Sequence, residues 1–258
     1  MEPIIQMKDI EKHFGSVIAL AGVTIDFYPG DCHCLLGDNG AGKSTFIKTM
    51  SGVHKPTHGE ILFEGKPMHF DDPRDSIAAG IATVYQDLAM IPLMSVSRNF
   101  FMGNEPVKRI AGLRFFDHDH ANEVTMKEMR DMGINLRGPD QAVGTLSGGE
   151  RQTVAIARAV HFGAKVLILD EPTSALGVRQ TANVLATVDK VRKQGISVVF
   201  ITHNVRHAMA VGDRFTVLNR GKTFGTALRG EITPEELQDM MAGGQELATL
   251  EGSLGGTV

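Results

Sequence analysis

GDNGAGKST, residues 37–45, places three glycines ahead of a lysine and two hydroxyl residues. Gly37, Gly42, Lys43 and Ser44 fit the spacing G-x-x-x-x-G-K-[ST] of a loop that cradles phosphate. Glycine lets such a loop wrap an anion without Cβ clashes, so the backbone N–H groups from Asp38 through Asn39, Gly40, Ala41 and Gly42 can converge on oxygen. Lys43 supplies a point charge for the β- and γ-phosphates, Ser44 a hydroxyl for Mg2+, and Thr45 closes the binding stretch. On its N-terminal side CLL reads as a buried strand, and on its C-terminal side STFIKTM reads as a helix that stops at Gly52, a C-cap glycine. A strand, a glycine loop and a helix in that order begin an α/β parallel unit.

A phosphate cradle that does chemistry needs a metal ligand and a group to handle water. LILDEP, residues 167–172, offers two adjacent acids at the end of an apolar run of the buried parallel kind. Asp170 is placed to hold Mg2+ through its water shell, and Glu171 to orient or deprotonate an attacking water. ISVVFITH, residues 196–203, is a second buried strand, and it delivers His203 to the γ-phosphate end of the site. IATVYQ, residues 81–86, ends on Gln86, which can reach the metal or the water. A second glycine-rich stretch, LSGGE at 146–150, opens the helix ERQTVAIARAVHF. Helix starts carry unpaired N–H groups and a positive dipole end, so Ser147, Gly148 and Gly149 also suit an anion.

The rest of the chain is organised around these stretches. IIQMKDIEKHF, VTIDFY and GEILFEG read as strands, VRQTANVLATVDKVRKQG as a helix, and RFTVLNRGKTFGTA as a hairpin. Residues 88–146 are rich in Met, Phe and charge and read as an inserted helical lobe, with Val124, Met126, Met129 and Met132 as the apolar side of a helix. Residues 1–242 are therefore expected to form one domain carrying that insertion, and 243–258, which are glycine-rich, a flexible tail. Hydrophobic content of 42% and charged content of 22% allow an ordinary core, and a net charge of −4 gives no footprint for nucleic acid. No apolar run reaches the ~18–20 residues of a spanning helix, and MEPIIQMKDIEKHF has no signal core, so a cytosolic, soluble chain is expected. Cys32 and Cys34 read as buried strand thiols, since a lone C-x-C lacks the second ligand pair of a zinc site.

Taken in order, GDNGAGKST, YQ, LSGGERQ, LILDEPTSAL and ITH resemble the ATP-binding cassette (ABC) ATPases over about residues 4–240. The resemblance implies a P-loop NTPase-type, mostly parallel α/β sheet core with an antiparallel β subdomain and an inserted helical subdomain. It implies ATP and Mg2+ as cofactors, Phe14 as the ring that stacks on adenine, Gln86 as the joint to the helical lobe, Glu171 as the catalytic glutamate and His203 as the switch histidine. It also implies why one chain has two anion-binding stretches: two copies pack head to tail, and Ser147, Gly148 and Gly149 serve the nucleotide held by the other copy. GVHKPTHGEILFEGKP, DLAMIPLMSVSRNFFMG and EPTSALGVRQT narrow the likeness to single-cassette ATPases of bacterial sugar importers of the ribose/xylose/fructose kind. That implies a homodimer beneath membrane permease subunits on the cytoplasmic face of the inner membrane, served indirectly by a periplasmic sugar-binding protein. The alternatives are an exporter motor or a soluble, non-transport ABC machine. The chain departs from the family pattern at Gly177, where an Asp is usual.

Overall fold

The computed structural model describes residues 1–243; the expected tail otherwise lies outside the described residues. The chain opens with β1 (Ile5–Phe14), β2 (Val17–Phe27) and β3 (Cys32–Leu36), followed by helix α1 (Lys43–Met50). Strands β4 (His58–Phe63) and β5 (Lys66–Met68), helix α2 (Pro73–Ala79) and β6 (Ile81–Val84) come next. Between β6 and the second half lie α3 (Val96–Phe100), β7 (Val107–Ile110), β8 (Leu113–Phe116) and α4 (His118–Asp131). The second half runs α5 (Gly148–His161), β9 (Val166–Asp170), α6 (Val178–Lys193), β10 (Ser197–Ile201), α7 (Val205–Val211), β11 (Arg214–Asn219), β12 (Lys222–Leu228) and α8 (Pro234–Met241).

Two larger sheets result. One is six-stranded in the order β12-β11-β3-β10-β9-β6; it is parallel throughout except for the closing β11–β12 hairpin. The other is an antiparallel sheet in the order β2-β1-β4-β5. Every residue of β3 and β10 is buried, as is β9 until Asp170, which is why CLL, VLIL and VVFI read as apolar runs. Alternation splits these strands between two cores. Leu35, Ile168, Val199 and Ile201 join Ile5, Met7, Phe46 and Ile47 under the antiparallel sheet and α1. Cys32, Cys34, Leu36, Leu167, Leu169 and Phe200 join Val154, Ile156, Val184 and Val188 from α5 and α6 on the opposite face. Both cysteines are buried and free, as expected.

The 88–146 segment departs from a purely helical reading. Residues 107–116 form a β-hairpin whose turn residues Ala111 and Gly112 both have positive φ, 50° and 83°. Such a turn matches the twist of paired strands. Helix α4 buries Ala121, Thr125 and Met129, followed by Met132 just beyond it, while Met126 is only half-buried. The true stripe follows the i, i+4 spacing of a single helical face, and Met126 stands off it.

Candidate active site

The chemistry-bearing residues gather at the carboxyl ends of three neighbouring strands. Ile201 pairs with Leu35 on one side and Asp170 on the other, so β3, β10 and β9 end at one level. From β3 the chain turns into residues 37–42 and then α1, whose N-cap is Gly42 at φ 103°. A Cβ on Gly42 would lie 3.0 Å from the Ala19 carbonyl oxygen and 3.3 Å from Gly221 Cα. A Cβ on Gly37, at φ 144°, would lie 2.3 Å from the Leu218 carbonyl oxygen. These two positions need glycine for both conformation and space.

Asp38, Asn39, Gly40, Gly42, Lys43, Ser44 and Thr45 line a cavity of about 450 Å³. Ala41 is buried beneath them, and its carbonyl accepts the Gly221 N–H at 2.9 Å. The Lys43 ammonium is buried and turned back onto the carbonyl oxygens of Gly37 and Asp38, the latter at 3.0 Å. Burial pulls the Lys43 pKa below its ordinary value, against the opposing charges of Glu171, Asp38 and Asp170. Burial first, then the charge of Glu171, lifts the Asp170 carboxyl above the usual carboxylate range, against Lys43 and Lys48. The acids and the ammonium therefore form one electrostatic unit, although Lys43 and Glu171 lie 128 residues apart in sequence (171 − 43).

Glu171 follows β9 in the left-handed region, φ 47°, with its N–H donating to the Ile201 carbonyl at 3.1 Å. Its Oε1 lies 2.9 Å from Nδ1 of His203, which follows β10. The Glu171 side chain is 15% exposed and that of His203 61%, so the pair opens to solvent through the imidazole.

A triphosphate with Mg2+ fits these residues. The cradle offers a helix start with a left-handed cap, and an ammonium held by the carbonyl oxygens of its own loop. Among the described residues no trio of His, Cys, Asp or Glu gathers to hold a metal ion unaided. Ser44 and Asp170 are hard oxygen donors of the kind that bind Mg2+ together with phosphate oxygens.

The other expected residues sit elsewhere. Gln86 is exposed two residues after β6 and lines a separate cavity with residues 87–90, Pro92, Val143, Gly144 and Arg151. Phe14, 44% exposed at the end of β1, lies edge-on to His54 at 5.2 Å between ring centres, with the Lys12 ammonium 5.1 Å over its ring. It is not in the wall of the 450 Å³ cavity, where Val17, Ile18 and Ala19 stand instead. Ser147 caps α5: its hydroxyl accepts the Glu150 N–H at 3.3 Å while the Glu150 carboxylate accepts the Ser147 N–H at 2.7 Å. Gly149 lines a different cavity of about 510 Å³, to which no residue of 37–45 contributes.

A sequence profile of the family described as ABC transporter matches residues 20–174. The chain belongs to the ABC transporter family. It is an ABC ATPase, hydrolysing ATP, and it has the mixed α/β fold of the ATP-binding cassettes. A xylose/arabinose import ATP-binding protein of Sulfolobus acidocaldarius is 41% identical over 241 residues, 93% of this chain and 94% of the relative. A fructose import ATP-binding protein of Rhizobium meliloti is 41% identical over 249 residues, 95% and 96% of the two chains. A ribose import ATP-binding protein of Escherichia coli O157:H7 is 36% identical over 93% of this chain, which spans 47% of that longer protein. Among solved structures, an ATP-binding cassette of an ABC transporter in its ADP conformation overlays with a TM-score of 0.81 at 23% identity, covering 98% of this chain and all of that one.

The ABC ATPase site contains contributors that motif spacing does not reveal. Arg220 and Gly221, in the turn between β11 and β12, line the cradle with Val17, Ile18 and Ala19. The Ala21 N–H donates to the Gly221 carbonyl at 2.8 Å, so the hairpin turn is tied both to β2 and to the loop at Ala41. The sequence marks Gly221 only as a turn residue; nothing local signals a contact 180 residues away (221 − 41).

Proposed function

We propose that this ABC ATPase is the motor of an importer for a monosaccharide, working as a homodimer against membrane permease subunits at the cytoplasmic face of the inner membrane. The observation that carries the motor reading is the convergence of Lys43, Asp170, Glu171 and His203 on one rim, with Glu171 bonded to His203 at 2.9 Å. The sugar reading rests on relatives matched nearly end to end whose names specify xylose/arabinose and fructose import. A periplasmic sugar-binding protein belongs to the same reading, as the source of substrate for the permease.

In this reading ATP lies in the 37–45 loop, with its triphosphate on the N–H groups of Asp38 to Thr45 and on Lys43. Ser44 and Asp170, with Gln86, would hold Mg2+, which would supply charge neutralisation for the departing phosphate. Lys43 exchanges its loop carbonyls for phosphate oxygens. Glu171 orients the attacking water and accepts its proton, and His203 steadies the Glu171 carboxylate and meets the γ-phosphate end. Phe14 offers its ring to the base. Ser147, Gly148 and Gly149 turn the start of α5 toward the nucleotide of the other copy, so closing the dimer completes both sites. Residues 1–242 form the cassette, with the 88–146 insertion carrying the surface that meets the permease.

The decisive variant is Glu171→Gln, which keeps the side-chain shape and removes the base. Steady-state phosphate release is expected to fall by about a hundredfold or more, while ATP still binds and size-exclusion chromatography shows a dimer accumulating. Normal hydrolysis by this variant rejects the role of Glu171.

A further inference from the structure

The turn after β9 is held from three directions. Its first residue, Glu171, is left-handed, a conformation that a non-glycine residue keeps only where its surroundings over-determine it. One restraint is the Glu171 N–H on the Ile201 carbonyl, and a second is the Glu171 carboxylate on His203 Nδ1. The third has no part in the roles above: the Thr173 hydroxyl lies 2.9 Å from Nδ1 of His207. Thr173 is 4% exposed, and the Ser174 N–H closes the turn on the Glu171 carbonyl at 3.0 Å. Thr173 is therefore inside the turn that presents Glu171.

His207 is itself fixed. It lies in the first turn of α7, where its backbone N–H donates to the Asn204 side-chain oxygen at 3.2 Å. The Asn204 N–H in turn donates to the Thr202 hydroxyl at 3.0 Å. One short segment, 203–207, thus carries two imidazoles that reach the 171–174 turn, one on the Glu171 carboxylate and one on the Thr173 hydroxyl two residues on. A hydroxyl and a neutral imidazole nitrogen can bond with either as donor, so the contact forms in either tautomer.

We propose that His207, acting through Thr173, is a positioning residue for ATP hydrolysis, fixing the turn so that Glu171 stands at the correct place beside the cradle. The proposal rests on the role assigned to Glu171. His207 touches neither substrate nor water; its contribution is geometric.

The test uses the full-length chain and measures phosphate release against ATP concentration. His207→Ala is expected to lower kcat about ten- to a hundredfold, as for a displaced reacting group, with KM for ATP held within about twofold. His207→Asn, whose amide reaches the place of Nδ1, is expected to recover most of kcat, and His207→Gln, whose amide extends past it, is not. Thr173→Val is expected to match His207→Ala, Thr173→Ser to behave as the parent, and the His207→Ala/Thr173→Val double variant to be no worse than either single change. Parental kcat in His207→Ala overturns the proposal, as do additive losses in the double variant or equal kcat in the Ala and Asn variants. Because Glu171→Gln is measured alongside, the two readings fail separately. Normal turnover by that variant removes the premise, whereas its loss beside a fully active His207→Ala removes the positioning role alone.

Discussion

The loop 37–45 and the stretch 146–150 are both glycine-rich starts of helices, yet the structure treats them differently. The first is tied into the fold on every side. Lys43 folds back on the loop carbonyls, Gly221 clamps Ala41, and Asp170 and Glu171 lie within electrostatic reach. The second closes on itself: Ser147 and Glu150 cap α5 reciprocally, with Gly148 and Gly149 between them. Its glycines also have an internal duty. A Cβ on Gly149 would sit 3.1–3.3 Å from three atoms of Gln180, and one on Gly148 would sit 2.7 Å from Leu176 Cδ2. One helix start has no side-chain cap and is tied to distant segments of the chain, and the other is closed by a local capping box. In the proposed homodimer, the start of α5 would meet the nucleotide of the other copy rather than that of its own cradle.

The strongest way to break the contrast is complementation. Lys43→Ala removes the cradle's ammonium, and Ser147→Arg fills the space before α5; each alone is expected to cut ATP hydrolysis about a hundredfold or more. If each site combines the cradle of one copy with the helix start of the other, an equal mixture contains heterodimers in which one site has both original partners. Random exchange then restores about a quarter of parental phosphate release. A mixture as inactive as its components shows that the two helix starts do not work in trans.

A smaller effect sharpens the internal duty of the second stretch. Gly149→Ala presses a methyl group against the Gln180 backbone, which is held in α6, and is expected to lower stability by about 1 kcal/mol after the gain in helix propensity is counted. Gly148→Ala meets only the end of a flexible leucine side chain, which can turn away, and is expected to leave the denaturation midpoint within about 0.5 kcal/mol of the parent. Equal losses in the two variants remove the packing argument.

The contrast also marks what the sequence could reveal. Gly37, Lys43 and Ser44, the acids at 170–171, and the apolar runs before them are local patterns, because the chemistry of each acts through neighbouring residues. The parallel core and the β11–β12 hairpin follow from those runs. The clamp from Gly221 to Ala41 and the Thr173–His207 contact bring distant segments together, and no periodicity encodes them. The hairpin at 107–116 escaped for a different reason. Ile110, Leu113 and Phe115 are all exposed, so burial imposes no alternation on strands that otherwise carry Lys and Arg between apolar residues. Helical spacing groups Val124 and Met126 with Met129 and Met132, whereas packing selects Ala121, Thr125 and Met129 as the buried face of α4 and leaves Val124 and Met126 half-buried.

The finest test concerns the helix against which the second stretch packs. α6 begins after Gly177, which has the extended φ and ψ of an N-cap, −69° and 161°, but no side chain to accept the helix's free N–H groups. Its first turn holds no acid, and Arg179 puts a cation at the positive end of the dipole. Among the described residues nothing lies within 4 Å of a Cβ built at Gly177, so Gly177→Asp has room to cap the helix. The expected gain is about 0.5 kcal/mol, the difference between Asp and Gly as caps plus a screened charge–dipole contribution, read as a shift in the urea midpoint at constant slope. Asp is the residue the family pattern leads one to expect here, so the same variant separates two explanations for its absence. If stability rises and ATP hydrolysis is unchanged, Gly177 is a neutral loss of a cap. If stability rises while hydrolysis changes, the missing carboxylate matters at the proposed face between two copies, beside the Gly149–Gln180 contact that ties α6 to the start of α5.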